Sequence, residues 1–147
     1  MDIPTDIRLP LCIEQGKVFN FYIDFGDGKR ESKNRYFVVL NSKPKSDVIL
    51  IMITSTTKID KKISYIKKVG IDESTLVIVS KKEYPTFTQE SAFNCNDIFQ
   101  VKMGDLIKKL ENGGSDNFPV IPNQILKKLI QGVKNSPNVE ISIKDLL

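Results

Sequence analysis

The amino-acid sequence predicts a mainly β fold of the α+β class, in which a small, strongly bent antiparallel sheet closes into a barrel and helices follow in the C-terminal third. Five or six short runs rich in β-branched and aromatic residues are joined mostly by loops. After residue 102 the apolar spacing changes from that of strands to that of helices. The connection 41–47 is too short for the crossover helix of a parallel sheet. Together these observations favour a bent antiparallel sheet with helices covering one end.

The predicted strands follow one another from residue 18 onward. In residues 18–25 every second side chain, from Phe19 to Phe25, is apolar, and the positions between them are mixed in character. This alternation predicts a strand with one buried face. The segment 26–34 combines turn-forming and charged residues with no apolar one, and it predicts an exposed loop. The remaining strands are predicted at 35–40, 48–53, 75–79 and 91–102, the last of these as one strand or as two strands broken near 96–97.

Two helices are predicted in the C-terminal third. Residues 103–110 place apolar side chains at positions i, i+3, i+4 and i+7, and two glycines end this segment. A second amphipathic segment, 122–135, begins at a proline. Residues 139–143 fit a final strand or an extended tail, and the lysine-rich segment 58–68 fits either a loop with a helical turn or a strand.

The length of 147 residues predicts a single domain, 1–147, in which 114–147 forms a helical C-terminal extension. The N-terminal residues lack the continuous apolar stretch of a signal peptide. The longest apolar run, 48–53, is far too short to cross a bilayer. We therefore expect a cytoplasmic protein without a membrane partner.

The composition limits the chemistry that the chain can perform. Lys and Arg outnumber Asp and Glu by 22 to 18, so a polyanionic partner is possible but not required. There is no histidine, which excludes histidine bases and histidine-ligated metals. Cys12 and Cys95 have neither metal-site spacing nor disulfide-scaffold density, and they fit buried thiols in a reducing compartment, with a disulfide between them as the open alternative. We expect no metal and no cofactor.

Arg35 and Thr54 are the leading candidates for a functional site. Arg35 stands where the charged loop enters a predicted strand, and a guanidinium held there suits recognition of a phosphate. Thr54 and Ser55 end the apolar run 48–53, where a hydroxyl could donate to the same phosphate. The alternatives are a surface arginine at the start of a strand and hydroxyls that cap the following turn.

A basic rim is predicted beside these residues. Lys29, Arg30 and Lys33 lie in the charged loop, and Lys43 and Lys45 lie in the next loop. Such a rim could contact a nucleic-acid backbone. The alternative is an ordinary solvated face.

The order of these motifs resembles the PemK/MazF-like toxin family. The motifs are Gly16-Lys17-Val18 at the start of a strand, the charged loop, the run 34–40 that begins with Asn34-Arg35, the run 51–55 that ends in Thr54-Ser55, and the segment 91–101 followed by a helix. The resemblance covers roughly residues 16–113. The sequence departs from the family at Tyr36 and Met52, where proline is common, and in continuing well past the helix that usually ends the domain.

The resemblance implies an SH3-like barrel that forms a homodimer and acts as a toxin-type, sequence-specific endoribonuclease on single-stranded RNA. By position, Arg35 and Thr54 would be the catalytic pair, and Lys29, Arg30, Lys33 and Ser55 would bind RNA. The family needs no metal, and an antitoxin protein holds its members inactive. Two alternatives remain open: a non-catalytic RNA- or protein-binding module on the same barrel, and an unrelated β-barrel in which Arg35 and Thr54 are ordinary strand-end residues.

Overall fold

The computed structural model describes residues 3–24 and 33–147 of the chain. The strands are β1 (Val18–Ile23), β2 (Lys33–Val39), β3 (Ile49–Thr56), β4 (Leu76–Val79) and β5 (Ser91–Lys102). The helices are α1 (Thr5–Cys12), α2 (Ile59–Val69), α3 (Met103–Glu111), α4 (Asn123–Asn135) and α5 (Ile141–Lys144), and a 3₁₀ turn, Glu73–Thr75, precedes β4. No helix within the described residues is long and apolar enough to cross a membrane.

The five strands form one antiparallel sheet in the order β1-β2-β3-β5-β4. The predicted α+β class is therefore confirmed. Among the described residues no ladder joins the edge strands β1 and β4, so this sheet is not closed into the predicted barrel. The reason is visible at β1, whose outer edge pairs with Ser115 instead: Asn20 and Ser115 exchange two backbone hydrogen bonds of 2.8 Å each.

Apolar clusters cover both faces of the sheet. The alternation in 18–25 predicted one buried face, and Phe19 and Phe21 on that face are buried whereas Tyr22 on the other face is exposed. The prediction is wrong at Val18, which points to the opposite face from Phe19 and is also fully buried. The helix α1, which the sequence analysis did not predict, covers the second face together with α3. Helices therefore lie on both faces instead of covering one end of a barrel.

The α1 side of the sheet holds a core of aromatic and aliphatic residues. Leu9 of α1 and Leu106 of α3 pack onto Phe19, Phe37 and neighbouring strand residues. The rings of Phe21 and Phe37 stack with centroids 4.2 Å apart. An ion pair of 2.6 Å between Arg8 and Asp116 fastens α1 to the segment that follows α3.

The α4 side of the sheet holds the larger core. Pro122 precedes the first turn of α4, and the apolar positions of this helix, among them Leu129 and Val133, face Val77 and Phe93 of the sheet. The apolar positions lie three or four residues apart and therefore form one stripe along the helix. This stripe explains why the segment is helical and which of its faces is buried. The C-terminal residues 121–143 thus contribute directly to the core.

The remaining local predictions have mixed outcomes. The helix predicted at 103–110 and the helix predicted at 122–135 are confirmed as α3 and α4, whereas 139–143 forms neither strand nor tail and enters the short helix α5. The open segment 58–68 is the helix α2, which ends at Gly70 in the left-handed conformation. The predicted loop 26–34 lies mostly outside the described residues; its last two residues pair with β1 as part of β2.

Gly132 is the point of closest approach between α4 and β5. A methyl group on Gly132 would lie 2.6 Å from the Cys95 sulfur and 2.7 Å from the Ser74 carbonyl oxygen. We expect Gly132→Ala to lower the free energy of unfolding by about 1–3 kcal/mol, because the helix must shift away from the sheet. Urea unfolding followed by circular dichroism measures this loss.

Gly104 in α3 provides the matched control, because a methyl group on it would have no neighbour within 4 Å. Gly104→Ala should leave stability unchanged or raise it by up to about 1 kcal/mol, since alanine is the better helix former. Equal effects of the two substitutions would show that close packing at Gly132 does not limit stability.

Candidate functional site

A cleft opens where β2 and β3 part. Their ladder ends at the pair Phe37 and Thr54, although β2 begins at Lys33 and β3 continues to Thr56. The β2–β3 cleft lies between residues 33–36 and 55–57, and residues 87–89 with Ser91 form its third wall. Its volume is about 150 Å³, the space of roughly five water molecules. It therefore has room for a phosphate or a sugar rather than for a whole nucleotide.

Arg35 reaches across this cleft from β2 toward β3. It lies opposite Phe21 in the ladder with β1, and its side chain is half-buried. One terminal guanidinium nitrogen, Nη1, donates to the carbonyl oxygen of Ser55 over 3.5 Å. This long hydrogen bond places the guanidinium beside β3, and the planar fork of an arginine suits recognition of an anion.

Thr54 belongs to the last residue pair of the ladder between β2 and β3, next to the cleft. It faces Phe37, and residues directly opposite on antiparallel strands share a face of the sheet. Arg35 precedes Phe37 by two positions and belongs to the same face. The hydroxyl of Thr54 donates to the carbonyl oxygen of Tyr36 over 2.8 Å, and Thr54 is not among the residues that line the cleft.

The structure thus brings some of the predicted site residues together and leaves others apart. Lys33, Arg35 and Ser55 line the same cleft, and Thr54 lies beside it on the face that Arg35 shares. Lys29 and Arg30 lie outside the described residues. Lys43 and Lys45 belong to the loop that precedes β3 and do not line the cleft.

The sequence analysis missed several polar residues of the cleft. Thr56 and Thr57 continue the hydroxyl-bearing run that begins at Thr54, and this run was the available signal for them. Thr88, Gln89 and Ser91 come from a segment more than thirty positions further along the chain. No local pattern in the sequence connects that segment with Arg35.

The third wall of the cleft rests on a chain of aromatic contacts. Tyr84 is buried, and its hydroxyl donates to the carbonyl oxygen of Pro119 over 2.6 Å. Its ring contacts Phe87, which in turn contacts Tyr36 with centroids 5.2 Å apart. Burial raises the pKa of Tyr84, so its phenol remains a hydrogen-bond donor well into the alkaline range. The segment from 84 to 91 is therefore held firmly against β2.

The described lining of the cleft is cationic. Lys33 and Arg35 carry its charges, and no carboxylate occurs among the other described lining residues. Such a hollow attracts anions. Elsewhere in the described residues, too, no group of three or more Cys, Asp and Glu side chains could hold a metal ion. The chemistry available in the cleft is that of a guanidinium, an ammonium and several hydroxyls.

A scan of the chain against models of protein families finds no matching family. A search of the curated proteins finds no matching relative. The resemblance to the PemK/MazF-like toxins consequently stays a prediction.

Neither thiol of the chain belongs to the cleft, and the two differ in exposure. Burial raises the pKa of the Cys95 thiol to about 12. The prediction of a buried thiol is wrong for Cys12, because this residue ends α1 at the surface and is exposed. We expect a disulfide reagent such as DTNB at pH 8 to label one thiol in the folded chain and both after denaturation, because only the thiolate reacts.

Cys12→Ser is the control for this experiment, and its folded form should show no rapidly reacting thiol. Rapid labelling of Cys95 in folded Cys12→Ser would contradict the burial of that side chain beneath α4.

Proposed function

We propose that the protein is a toxin-type endoribonuclease that cuts single-stranded RNA in a sequence-specific manner without a metal ion. The observation that carries the proposal is the β2–β3 cleft, in which the Arg35 guanidinium faces a row of hydroxyls in a cationic hollow of phosphate size. Three finer features of the PemK/MazF-like family belong to the same proposal: a homodimer, an antitoxin partner and a cytoplasmic location. The proposal does not extend to the closed SH3-like barrel of that family, because the sheet of the described residues is open.

The proposed reaction is the attack of an RNA 2′-hydroxyl on its own 3′-phosphate. The new bond joins the 2′-oxygen to phosphorus, the bond to the 5′-oxygen breaks, and the products are a 2′,3′-cyclic phosphate and a 5′-hydroxyl. Arg35 stabilises the charge that grows on the phosphorane oxygens. The 2′-hydroxyl loses its proton to water, and the leaving 5′-oxygen gains one, either from water or relayed through the guanidinium.

Other residues of the cleft would bind the substrate. Lys33 adds a second positive charge, and Ser55 and Thr56 supply hydroxyls within the same hollow. The half-buried ring of Tyr36 offers a surface on which a base could stack. We assign Lys29 and Arg30 to the RNA backbone on the resemblance alone. Because the hollow is small, bases would extend outside it, as they do in single-stranded RNA.

A specific observation favours the second candidate, a non-catalytic RNA- or protein-binding module. The Thr54 hydroxyl donates its one hydrogen bond to the Tyr36 carbonyl oxygen. In this arrangement its oxygen can accept a hydrogen bond from a ligand, but the hydroxyl does not donate to a phosphate. In this alternative Arg35 binds an anion without promoting its reaction. The two candidates differ in whether bound RNA is cut.

The first functional prediction concerns Arg35. Purified protein should cut a long single-stranded RNA of mixed sequence in the presence of EDTA, and it should leave a DNA of the same sequence intact. Arg35→Ala should lower the cleavage rate by at least about 100-fold, because a positioned donor to the transition state is lost. Arg35→Lys keeps the charge but loses the planar fork, and should recover only part of the rate. Gel electrophoresis of the RNA measures the cleavage rates of the parent protein and of the two variants.

Lys134→Ala removes an exposed cation of α4, away from the cleft and from the predicted basic rim, and is the matched control. It should cut at the parental rate. A melting curve for each variant separates lost chemistry from lost folding. RNA that is bound but never cut, by parent and variants alike, would favour the binding module instead.

The second functional prediction concerns Thr54. Thr54→Val removes the hydroxyl while nearly keeping the shape, so the hydrogen bond to the Tyr36 carbonyl is lost. We expect a cost of about 1 kcal/mol in stability. The cleavage rate should fall more than tenfold, because the lost hydrogen bond fixes the residue next to Arg35 and its loss displaces the guanidinium. Urea unfolding and single-turnover cleavage measure the two effects. Loss of stability with an unchanged rate would limit Thr54 to a structural role.

A further inference from the structure

A second concave surface lies at the far edge of the sheet, between α2 and the edge strand β4. Its volume is about 320 Å³. Four aliphatic side chains and two charged ones line this α2–β4 groove: Ile63, Ile66, Lys67, Glu73, Leu76 and Ile78. Leu76 and Ile78 alternate with Val77 and Val79, which point into the core beneath α4. The helix α2 therefore covers the outward-facing residues of β4 only in part.

The apolar lining of the groove is exposed in part. Ile78 is 41% exposed and Ile63 and Leu76 are half-buried, whereas Ile66 is buried. Outside the lining, Tyr65 and Val69 of α2 are each 48% exposed. Within the part of the chain that the structure describes, β4 pairs on one side only, with β5. An open strand edge carries backbone donors and acceptors that another strand can use.

The charges around the groove are mostly positive. The helix α2 carries Lys61, Lys62, Lys67 and Lys68 against the single acid Asp60. Two more exposed lysines, Lys81 and Lys82, follow β4 after Ser80. Glu73 is the one acid in the lining, and Asp72 and Glu83 are further acids near the ends of β4, so six lysines stand against four acids among the described residues around the groove. The rim consequently complements an acidic partner.

We propose that the α2–β4 groove binds an extended, acidic and aliphatic segment of a partner protein, which adds to the sheet as a strand beside β4. Main-chain hydrogen bonds to β4 would supply affinity, aliphatic side chains would fill the space beside Ile63 and Ile78, and flanking carboxylates would meet the lysines. A nucleic acid fits less well, because four of the six lining residues are aliphatic. The groove lies at the edge strand β4, whereas the β2–β3 cleft lies between two inner strands. The proposal therefore does not depend on ribonuclease activity.

The test begins with a phage-displayed library of random twelve-residue peptides, selected on the immobilised full chain. Peptides that have aliphatic residues at every second position and that also carry Asp or Glu should be enriched. In fluorescence anisotropy the best labelled peptide should bind Ile78→Lys at least tenfold more weakly, since a lysine blocks the groove and the strand edge. Lys67→Glu should weaken binding by a similar factor at low salt. Amide NMR shifts on binding should concentrate at 59–79.

Val48→Lys is the matched control, because Val48 is an exposed aliphatic residue, 80% accessible, just before β3 and outside the groove. It should bind the peptide as the parent does, and circular dichroism checks that every variant folds. No enrichment, enrichment of basic peptides, unchanged binding by both groove variants, or shifts outside 59–79 would each overturn the proposal. Shifts at 59–79 caused by a single-stranded RNA instead of by peptides would overturn it as well. RNA cleavage by the same variants is a separate readout, so failure here leaves the proposed function untouched.

Discussion

The change of strand pairing at Thr54 is the constraint on which the rest of the site depends. The ladder between β2 and β3 ends there, and the ladder between β3 and β5 shifts register between Ile53 and Ser55. β5 absorbs the shift with extra residues at 94–97, which form an irregularity that bends a strand. The strand β2 thus separates from β3 at the point where β5, on the other side of β3, bends. The β2–β3 cleft is the space that this divergence leaves.

The two-sided core explains why the strands look as they do in the sequence. A strand covered on both faces is a continuous apolar run, as residues 50–53 are, whereas a half-exposed strand alternates. Helix packing on the α4 side sets a further limit, since the buried Cys95 leaves room only for a glycine at position 132. The polar site lies at the diverging ends of β2 and β3, because residues 37–39 of β2 and 50–53 of β3 are buried.

Patterns that are local in sequence predicted the class of the fold and most of its elements. The helix α4 follows from the spacing of residues such as Leu126 and Leu129. The helix α1 was missed because Pro10 interrupts its short apolar pattern, and α2 stayed open because its isoleucines suit strands equally well. Arg35 could be singled out from its place at a strand entrance. Its neighbours Gln89 and Ser91 could not, because only the folded chain brings them there.

The C-terminal third is best understood as part of the site rather than as an appendage to it. The backbone nitrogen of Ile121 donates to the carbonyl oxygen of Gly16 over 2.9 Å, which ties this segment to the start of β1. Phe118 packs edge-on against the ring of Tyr36, and Pro119 accepts the hydroxyl of Tyr84. Both contacts support walls of the β2–β3 cleft. The segment after α3 therefore packs against the residues that shape the cleft, against Tyr36 directly and against Phe87 through Tyr84.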